Sequence, residues 1–422
     1  MLVSMEKAPK NLFERFVASS SIITGERRAL EPGFLPERLP HREPEIEHLA
    51  EILSSALKGS RPSNIIIFGK PGVGKTSVVK FVENEMKKAI LSSVRINVRI
   101  VDINCGVADS PYGILLAVGQ GVMEEWEEKI PFTGWPLDKL YSVVLEKVKG
   151  VRGVVIITLD EIDRLVRKSG DSVLYQLLRM NEEMEESKVS IIGISNDLRF
   201  TDYLDPRVRS RLVEETIVFN PYNASQIYDI LQDRVLFAGI SGYVDDSALK
   251  ICAALAAQEH GDARRAIDLL KVAVEIAEMK EEKRITDDIV YMAKAKLERD
   301  VVVDTVSNLP LHSKFVLFSV TLIGEIKNGG KTTMGELYDL YAKIAERIGV
   351  QNLTQRRVAD IVSELSNLGL VNSEVQSFGR YGRTTTVTLN YDQEKIKEIL
   401  LADEILSQLK DVKPLQKSLP LS

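Results

Sequence analysis

Gly69-Lys70-Pro71-Gly72-Val73-Gly74-Lys75-Thr76 is the stretch on which the reading of this chain turns. The run Asn64-Ile65-Ile66-Ile67-Phe68 precedes it and helix-like spacing follows, so the order is buried strand, glycine-rich loop, helix. Glycines here let backbone N–H groups point inward at phosphate oxygens, and the start of the next helix adds a favourable dipole. Lys75 supplies a cation for the terminal phosphates and Thr76 a hydroxyl for Mg²⁺. The expected cradle is Gly69, Pro71, Gly72, Val73, Gly74, Lys75, Thr76 and Ser77, holding ATP or ADP.

Working outward, a helical pattern runs from Pro44 to about Lys58, and Val94 to Cys105, Val154 to Leu159 and Val189 to Ile194 read as further strands between helical stretches. Such alternation predicts an α/β fold with a parallel sheet covered on both faces. The third strand runs into Asp160-Glu161-Ile162-Asp163, which places carboxylates at the C-terminal edge of the sheet, where open parallel sheets bind nucleotides. Asp160 is expected to hold the metal, and Glu161 to polarise the attacking water. The fourth strand ends in Ser195-Asn196-Asp197, and Asn196 is the residue chosen to orient that water.

After Phe219 the strands stop, and residues 224–237, 245–258, 262–278 and 286–299 carry helical spacing, which predicts a small helical domain. From Leu309, helices at about Met334–Arg347 and Thr354–Leu368 precede two alternating strands that meet at Gly379-Arg380-Tyr381-Gly382, a winged-helix pattern. Residues 393–410 look like a terminal helix. The domain reading is 1–20 N-terminal arm, 21–219 nucleotide-binding domain, 220–302 lid, 303–395 winged helix and 396–422 C-terminal helix and tail.

In the second of those helices the apolar stripe is Val358, Ile361, Val362 and Leu365, with Thr354 as N-cap. A start of Gln355, Arg356 and Arg357 suits entry into a major groove. Gln376 to Asn390 carries Arg380 and Arg383 and no acid, so Arg380 is placed for a minor groove and Arg383 for phosphates, with Tyr381 at the same tip.

Composition limits the alternatives. At 422 residues, 44% hydrophobic and 27% charged, the chain is of ordinary globular type with several cores. No apolar stretch approaches the roughly 20 residues that cross a bilayer, and the start lacks a secretory pattern, so an intracellular, nucleoid-associated protein without a membrane is expected. Cys105 and Cys252 stand alone, as buried thiols do. The net charge of −6 confines any nucleic-acid binding to local basic patches.

P-loop, Asp-Glu pair, polar strand end, basic turn and Gly261-Asp262-Ala263-Arg264-Arg265 together resemble the AAA+ ATPases. The resemblance implies that Arg264 reaches the γ-phosphate from the lid, with Arg265 as the alternative. In Asp205-Pro206-Arg207-Val208-Arg209-Ser210-Arg211 it implies that Arg211, or else Arg209, completes a neighbouring subunit's site in trans.

Longer runs narrow the family. They are Leu35-Pro36-Glu37-Arg38-Leu39-Pro40-His41-Arg42-Glu43, Pro131-Phe132-Thr133-Gly134-Trp135-Pro136, Pro221-Tyr222-Asn223-Ala224, Glu259 to Ala266 and Gly379 to Arg383. Over most of its length the chain resembles the archaeal origin-recognition and cell-division-cycle initiators. That resemblance implies that Leu39, Pro40, His41 and Arg42 pack on adenine, with Tyr222 and Ile230 closing the pocket. It further implies a replication initiator that binds double-stranded origin DNA under ATP/ADP control and helps load the replicative helicase. Hydrolysis would be slow and switch-like, and paralogous initiator subunits would be further partners on DNA. A second DNA element, an inserted helix after the second strand, is expected near Gly106 to Met123, where Asp109 is the only charge; no residues are assigned there. The alternatives are a motor or clamp-loader-type ATPase and a nucleotide-sensing transcriptional regulator.

Overall fold

Ile65, Ile66 and Ile67 have no exposed surface, which places their strand at the centre of a sheet packed on both sides. The computed structural model describes residues 22–92, 97–124, 130–327, 330–377 and 383–410. The chain divides into two compact units that part between Ala293 and Lys294.

In chain order the first unit begins α1 (Glu43–Ser54), β1 (Ile65–Gly69), α2 (Lys75–Ser92), β2 (Val98–Asn104), α3 (Pro111–Val122) and α4 (Leu137–Val151). There follow β3 (Val154–Asp160), α5 (Ile162–Ser169), α6 (Ser172–Arg179), β4 (Lys188–Ser195), α7 (Pro206–Leu212) and β5 (Glu215–Phe219). The helices α8 (Ala224–Phe237), α9 (Asp246–Gln258) and α10 (Ala263–Met279) form the lid, and α11 runs from Asp287 to Ser307.

The strands lie parallel in the order β2-β3-β4-β1-β5. Alternation along the strands feeds two cores. Ile66, Phe68, Val155, Ile157 and Ile191 pack with Leu115, Val144, Leu165 and Leu177, while Ile65, Ile67, Ile156 and Ile192 pack with Leu49, Leu53, Val78 and Val82. Because the strands are parallel, Gly69, Asp160 and Ser195 all end at the same edge, and the loops carrying the expected nucleotide residues converge there. Arg234 ties the segment before α1 to the lid, donating from a buried position to Ala29 O and Phe34 O at 3.1 Å each.

Strand β5 is not apparent from the sequence. It is an edge strand in which only Ile217 and Phe219 are buried, so it lacks the continuous apolar run of its neighbours.

The second unit contains α12 (Leu311–Ile326), β6 (Thr332–Thr333), α13 (Met334–Ile348), α14 (Gln355–Asn367), β7 (Val371–Ser377), β8 (Arg383–Leu389) and α15 (Gln393–Leu401). Strands β7 and β8 form an antiparallel hairpin, and β6 joins the other side of β8. Helix α12 reads in the sequence only as an apolar stretch: eleven of its residues are buried, so it shows no polar face from which a helical period emerges. The terminal helix expected over 393–410 stops at Leu401, and Leu406–Leu409 form a separate 3-10 turn. Asp403 makes the break by accepting from the N–H groups of Ile405 and Leu406 while bonding Lys314 at 2.7 Å. Cys105 and Cys252 are buried free thiols, and burial pushes both up to about 12. No described helix is long and apolar enough to cross a membrane.

Candidate functional site

The loop between β1 and α2 depends on two left-handed glycines, Gly72 at φ +74° and Gly74 at φ +90°. Close approach adds a second requirement at each. A Cβ on Gly72 would stand 1.7 Å from Asp262 Oδ1, and one on Gly74 would stand 2.8 Å from the Tyr222 hydroxyl. The lid therefore rests on the loop, and Ala263 N donates to Gly72 O at 3.2 Å.

Lys75 is 5% exposed, and its ammonium donates to Gly69 O at 2.7 Å, to Lys70 O at 2.8 Å and to Asn196 Oδ1 at 2.8 Å. Burial pulls its pKa down to about 8; the Asp160 carboxylate opposes that fall and Arg264 reinforces it. Thr76 Oγ1 donates to Asp160 Oδ2 at 3.0 Å. A hydroxyl beside a carboxylate fits a hard divalent cation that keeps water and phosphate oxygens as its other ligands. Among the described residues no group of three or more His, Cys, Asp or Glu forms a metal site, so such a cation would rest on Thr76, Asp160 and the phosphates themselves. The donors fit a magnesium-bound nucleoside triphosphate.

Asp163 belongs to the acidic turn, and its sequence alone assigns it no role. It is 6% exposed, and its Oδ1 accepts from Asn196 N at 3.2 Å and from Ser195 Oγ at 3.3 Å, which fixes the strand end that presents Asn196 to Lys75. Its signal lies in the spacing, two residues past Glu161 and on the buried face of α5.

A cavity of about 60 Å³ opens beside the loop, lined by Leu39, Pro40, Arg42, Gly72, Gly74, Ser77, Tyr222, Ile230 and Arg264. Pro32, Pro36, Arg38, Asp233 and Ile267 also line it; Pro36 and Arg38 lie in the quoted run before α1 without a role assigned to them, and nothing in the local sequence marks Pro32, Asp233 or Ile267. His41 faces a neighbouring cleft instead, with φ +63° and its Nε2 2.7 Å from Asp229 Oδ2. Arg42 is a buried rivet, 4% exposed. Its guanidinium donates to Val73 O at 3.1 Å, the Tyr222 hydroxyl at 2.9 Å, Glu45 Oε1 at 2.8 Å and Asn220 O at 2.7 Å, and lies 4.0 Å from the Tyr222 ring centroid.

The paired arginines separate. Arg264 lines the cavity, while Arg265 Nε bonds Glu259 at 3.0 Å. Asp262 caps α10 by accepting from Arg264 N at 2.8 Å. Arg211 is half exposed near the end of α7 and pairs with Glu182 at 2.5 Å; Arg209 lies 4.0 Å from Asp202. Neither lines the cavity.

In the second unit Thr354 caps α14, its hydroxyl accepting from Arg357 N at 3.4 Å. Val358, Ile361, Val362 and Leu365 are buried, as the stripe predicts, and Gln355, Arg356 and Arg357 are exposed. The turn before α14 is held at both ends of one residue: Leu353 N donates to the Tyr341 hydroxyl and Leu353 O accepts from Tyr338, each at 3.1 Å. Arg380, Tyr381 and the side chain of Arg383 lie outside the described residues. In the first unit α3 occupies the stretch expected for the inserted helix. It buries Ile114, Leu115, Leu116, Val118 and Val122, and Asp109 before it pairs with Lys168.

Residues 65–220 match the ATPase family associated with various cellular activities, 228–295 the Cdc6 AAA+ ATPase-type lid domain, and 304–399 the CDC6 C-terminal winged helix domain. The ORC1-type DNA replication protein of Thermococcus onnurineus is 44% identical over 397 residues, 94% of this chain and 95% of the relative. That of Methanoregula boonei is 44% identical over 414 residues, covering 96% of both. The solved structure of the Aeropyrum pernix ORC1 protein in complex with DNA aligns with a TM-score of 0.78 and 40% identity, over 92% of this chain and all of that one. With the AAA core, lid and winged helix matched in order and identity sustained along almost its whole length, this chain belongs to the ORC1-type DNA replication proteins.

Proposed function

We propose that this protein is an ATP-controlled replication initiator, in which the nucleotide bound in the first unit sets how firmly the winged helix of the second grips double-stranded origin DNA. Support comes from the meeting of lid and cradle at one peptide, where Ala263 N–H bonds Gly72 O and Arg264 lines the same cavity. Any change in what the cradle holds is thereby felt by the lid.

In this reading the backbone N–H groups of residues 72–76 and the Lys75 ammonium bind the phosphates, and Thr76 and Asp160 would hold Mg²⁺, which would supply positive charge to the phosphates. Glu161 takes the proton of the attacking water, Asn196 orients that water, and Arg264 stabilises the γ-phosphate. Leu39, Pro40, Arg42, Tyr222 and Ile230 enclose the adenine. Arg211 serves a neighbouring paralogue's site. Because such a finger is worth about 10³ to 10⁵ in rate and acts in trans, the isolated chain hydrolyses ATP slowly. Exposed Gln355, Arg356 and Arg357 enter the major groove, and Arg380, Tyr381 and Arg383 reach the minor groove and phosphates. The DNA complex of the Aeropyrum relative supports DNA binding, and the name of the 44% identical relatives, DNA replication proteins, favours this reading over a motor or a transcriptional regulator. Placement of the replicative helicase is the expected outcome.

Two measurements test the proposal. Footprinting on genomic DNA with ATP and with ADP should show protection of discrete sites that changes with the nucleotide; identical footprints remove the switch. Glu161→Gln should retain ATP and lose hydrolysis, and turnover at the normal rate in that variant removes Glu161 as base.

A further inference from the structure

His312 is the one histidine of the second unit; His41, His48 and His260 all belong to the first. It is half-buried at the start of α12, and its Nδ1 lies 2.8 Å from the hydroxyl of Tyr341 on α13. Tyr341 has no exposed surface, and its hydroxyl oxygen accepts from Leu353 N at 3.1 Å. Tyr338, one turn earlier on α13, donates to the carbonyl of the same Leu353 at 3.1 Å. Leu353 immediately precedes Thr354, the N-cap of α14. The backbone that leads into α14 is therefore held by two tyrosines and, through one of them, by His312.

A phenol has a single hydrogen to give. Because its oxygen already accepts from Leu353, Tyr341 gives that hydrogen to Nδ1, which must be the ring nitrogen without a proton. Burial pushes the Tyr341 hydroxyl up from its ordinary value, so the hydrogen stays in place. A second proton on the ring would make Nδ1 a donor and leave the buried hydroxyl hydrogen without an acceptor. It would also set a cation at the positive end of α12. Tyr341 is the titratable group that faces the ring, and among the described residues no carboxylate bonds it. On the elements packed against α12 the ion pairs lie elsewhere: Lys314 with Asp403 after α15, Glu325 with Lys397 on α15, Lys327 with Glu336 on α13 and Arg357 with Asp360 on α14. Strands β6 and β8 carry no acid.

We propose that His312, Tyr341 and Leu353 form a hydrogen-bonded strut that fixes where the basic start of α14 meets a duplex, and that the strut holds only while His312 is neutral. Tyr341 and His312 are then positioning residues, acting on DNA through Leu353 and Thr354, and the grip weakens as the pH falls. The inference rests on α14 being the DNA reader, as proposed above. Histidine is the side chain whose ordinary change of charge falls between about pH 5 and 8, so in the second unit that change belongs to His312.

The test uses the full chain and a duplex protected in footprinting, with affinity read by fluorescence anisotropy at about pH 8 and about pH 5.5. Tyr341→Phe removes one oxygen atom and should weaken binding about two- to tenfold at the higher pH, the worth of one hydrogen bond. The normal protein should lose a similar factor on moving to the lower pH. His312→Asn offers an amide oxygen in place of Nδ1 and takes no proton there, so it should bind almost normally at the higher pH and hold its affinity at the lower one. Binding to a scrambled duplex should change less in each case, because phosphate contacts tolerate a shifted helix better than base contacts do. Mere loss of folding would reduce both alike.

Normal affinity in Tyr341→Phe overturns the strut, as does a fall with pH that persists in full in His312→Asn. Replacing Gln355, Arg356 and Arg357 together with Ala separates the two ideas. If that variant loses the duplex while Tyr341→Phe is unaltered, only the strut fails; if it binds normally, α14 is not the reader and the strut has no role in DNA binding.

Discussion

The glycine-rich cradle and helix α14, proposed to bind nucleotide and DNA, handle charge in opposite ways. In the cradle Lys75 and Arg42 are 5% and 4% exposed, and each has at least three partners within the chain. On α14, Gln355, Arg356 and Arg357 are exposed, and the Arg357–Asp360 pair at 3.6 Å is open to water. The difference suits the ligands proposed for the two regions. A flexible triphosphate must be enclosed, so the protein arranges its donors before binding and desolvates them. A duplex is large, stiff and regularly charged, so its own phosphates organise side chains that wait in water.

The contrast is broken most severely at Arg42. Arg42→Ala leaves Val73 O, Asn220 O and Glu45 without their partner inside the fold, and a loss of about 3–5 kcal/mol is expected in the unfolding free energy of the first unit. Denaturant melts of the normal and variant proteins measure it; a loss below about 1 kcal/mol, the usual effect of a point substitution, would mean the guanidinium is dispensable to the fold. Next comes Lys75→Ala, which should weaken ATP by about 1.5–3 kcal/mol without lowering stability, because it removes a charged donor that also costs desolvation. Isothermal titration with ATP is the check.

A third prediction uses pH. Glu83 is 1% exposed and accepts from Thr158 Oγ1 at 2.6 Å. Burial raises its pKa from 4.5 to about 8, opposed by the Thr158 bond and assisted by Asp102. The folded state thus favours the protonated acid: its contribution is fully present below about 4.5 and is lost as pH climbs to about 8. Glu83→Gln should flatten this decline, by up to about 1.4 kcal/mol per pH unit. In the second unit Glu336 moves the other way. Burial pushes it up, but Lys327 and the N–H and hydroxyl of Thr333 overcome that and hold it at about 2, so its stabilisation is present above about 4.5 and is lost as pH falls toward 2. Melting curves over pH should therefore differ in sign between Glu83→Gln and Glu336→Gln.

The smallest expected effect on folding sharpens the contrast from the other side. Arg356→Ala should leave stability within about 0.5 kcal/mol of normal. It should nonetheless weaken duplex binding by about 1–3 kcal/mol if it meets a base, or lower the log–log salt slope by about 0.9 if it meets a phosphate. Unaltered DNA affinity in a well-folded Arg356→Ala protein would remove this residue from the interface.

Much of the fold was legible because parallel strands buried on both faces must be continuous apolar runs: β1, β3 and β4 all read that way. Helices α8 and α13 emerged from their amphipathic period, and both start with capping boxes. Strand β5 and helix α12 fail the same tests for opposite reasons, one being an edge with alternate residues exposed and the other buried all round. Within the candidate site, the loop, the Asp-Glu turn and Asn196 stood out because the proposed phosphate chemistry calls for those groups at strand ends, and the fold brings them to one edge of the sheet. The lining from Pro32, Arg38 and Asp233 was not, since it arises where the segment before α1 meets the lid.

Residue chemistry and local period alone pointed to the kind of ligand proposed, to the order of the domains and to the helix that carries an exposed basic start. Only the tertiary structure decided that Arg42 is a buried support bonded to Asn220, 178 positions away, that Arg264 and not Arg265 faces the cavity, and that Tyr341 links Leu353 to His312. The reason is physical: covalent neighbours fix what a side chain is able to do, but its partners and solvent exposure come from segments that folding alone brings alongside it.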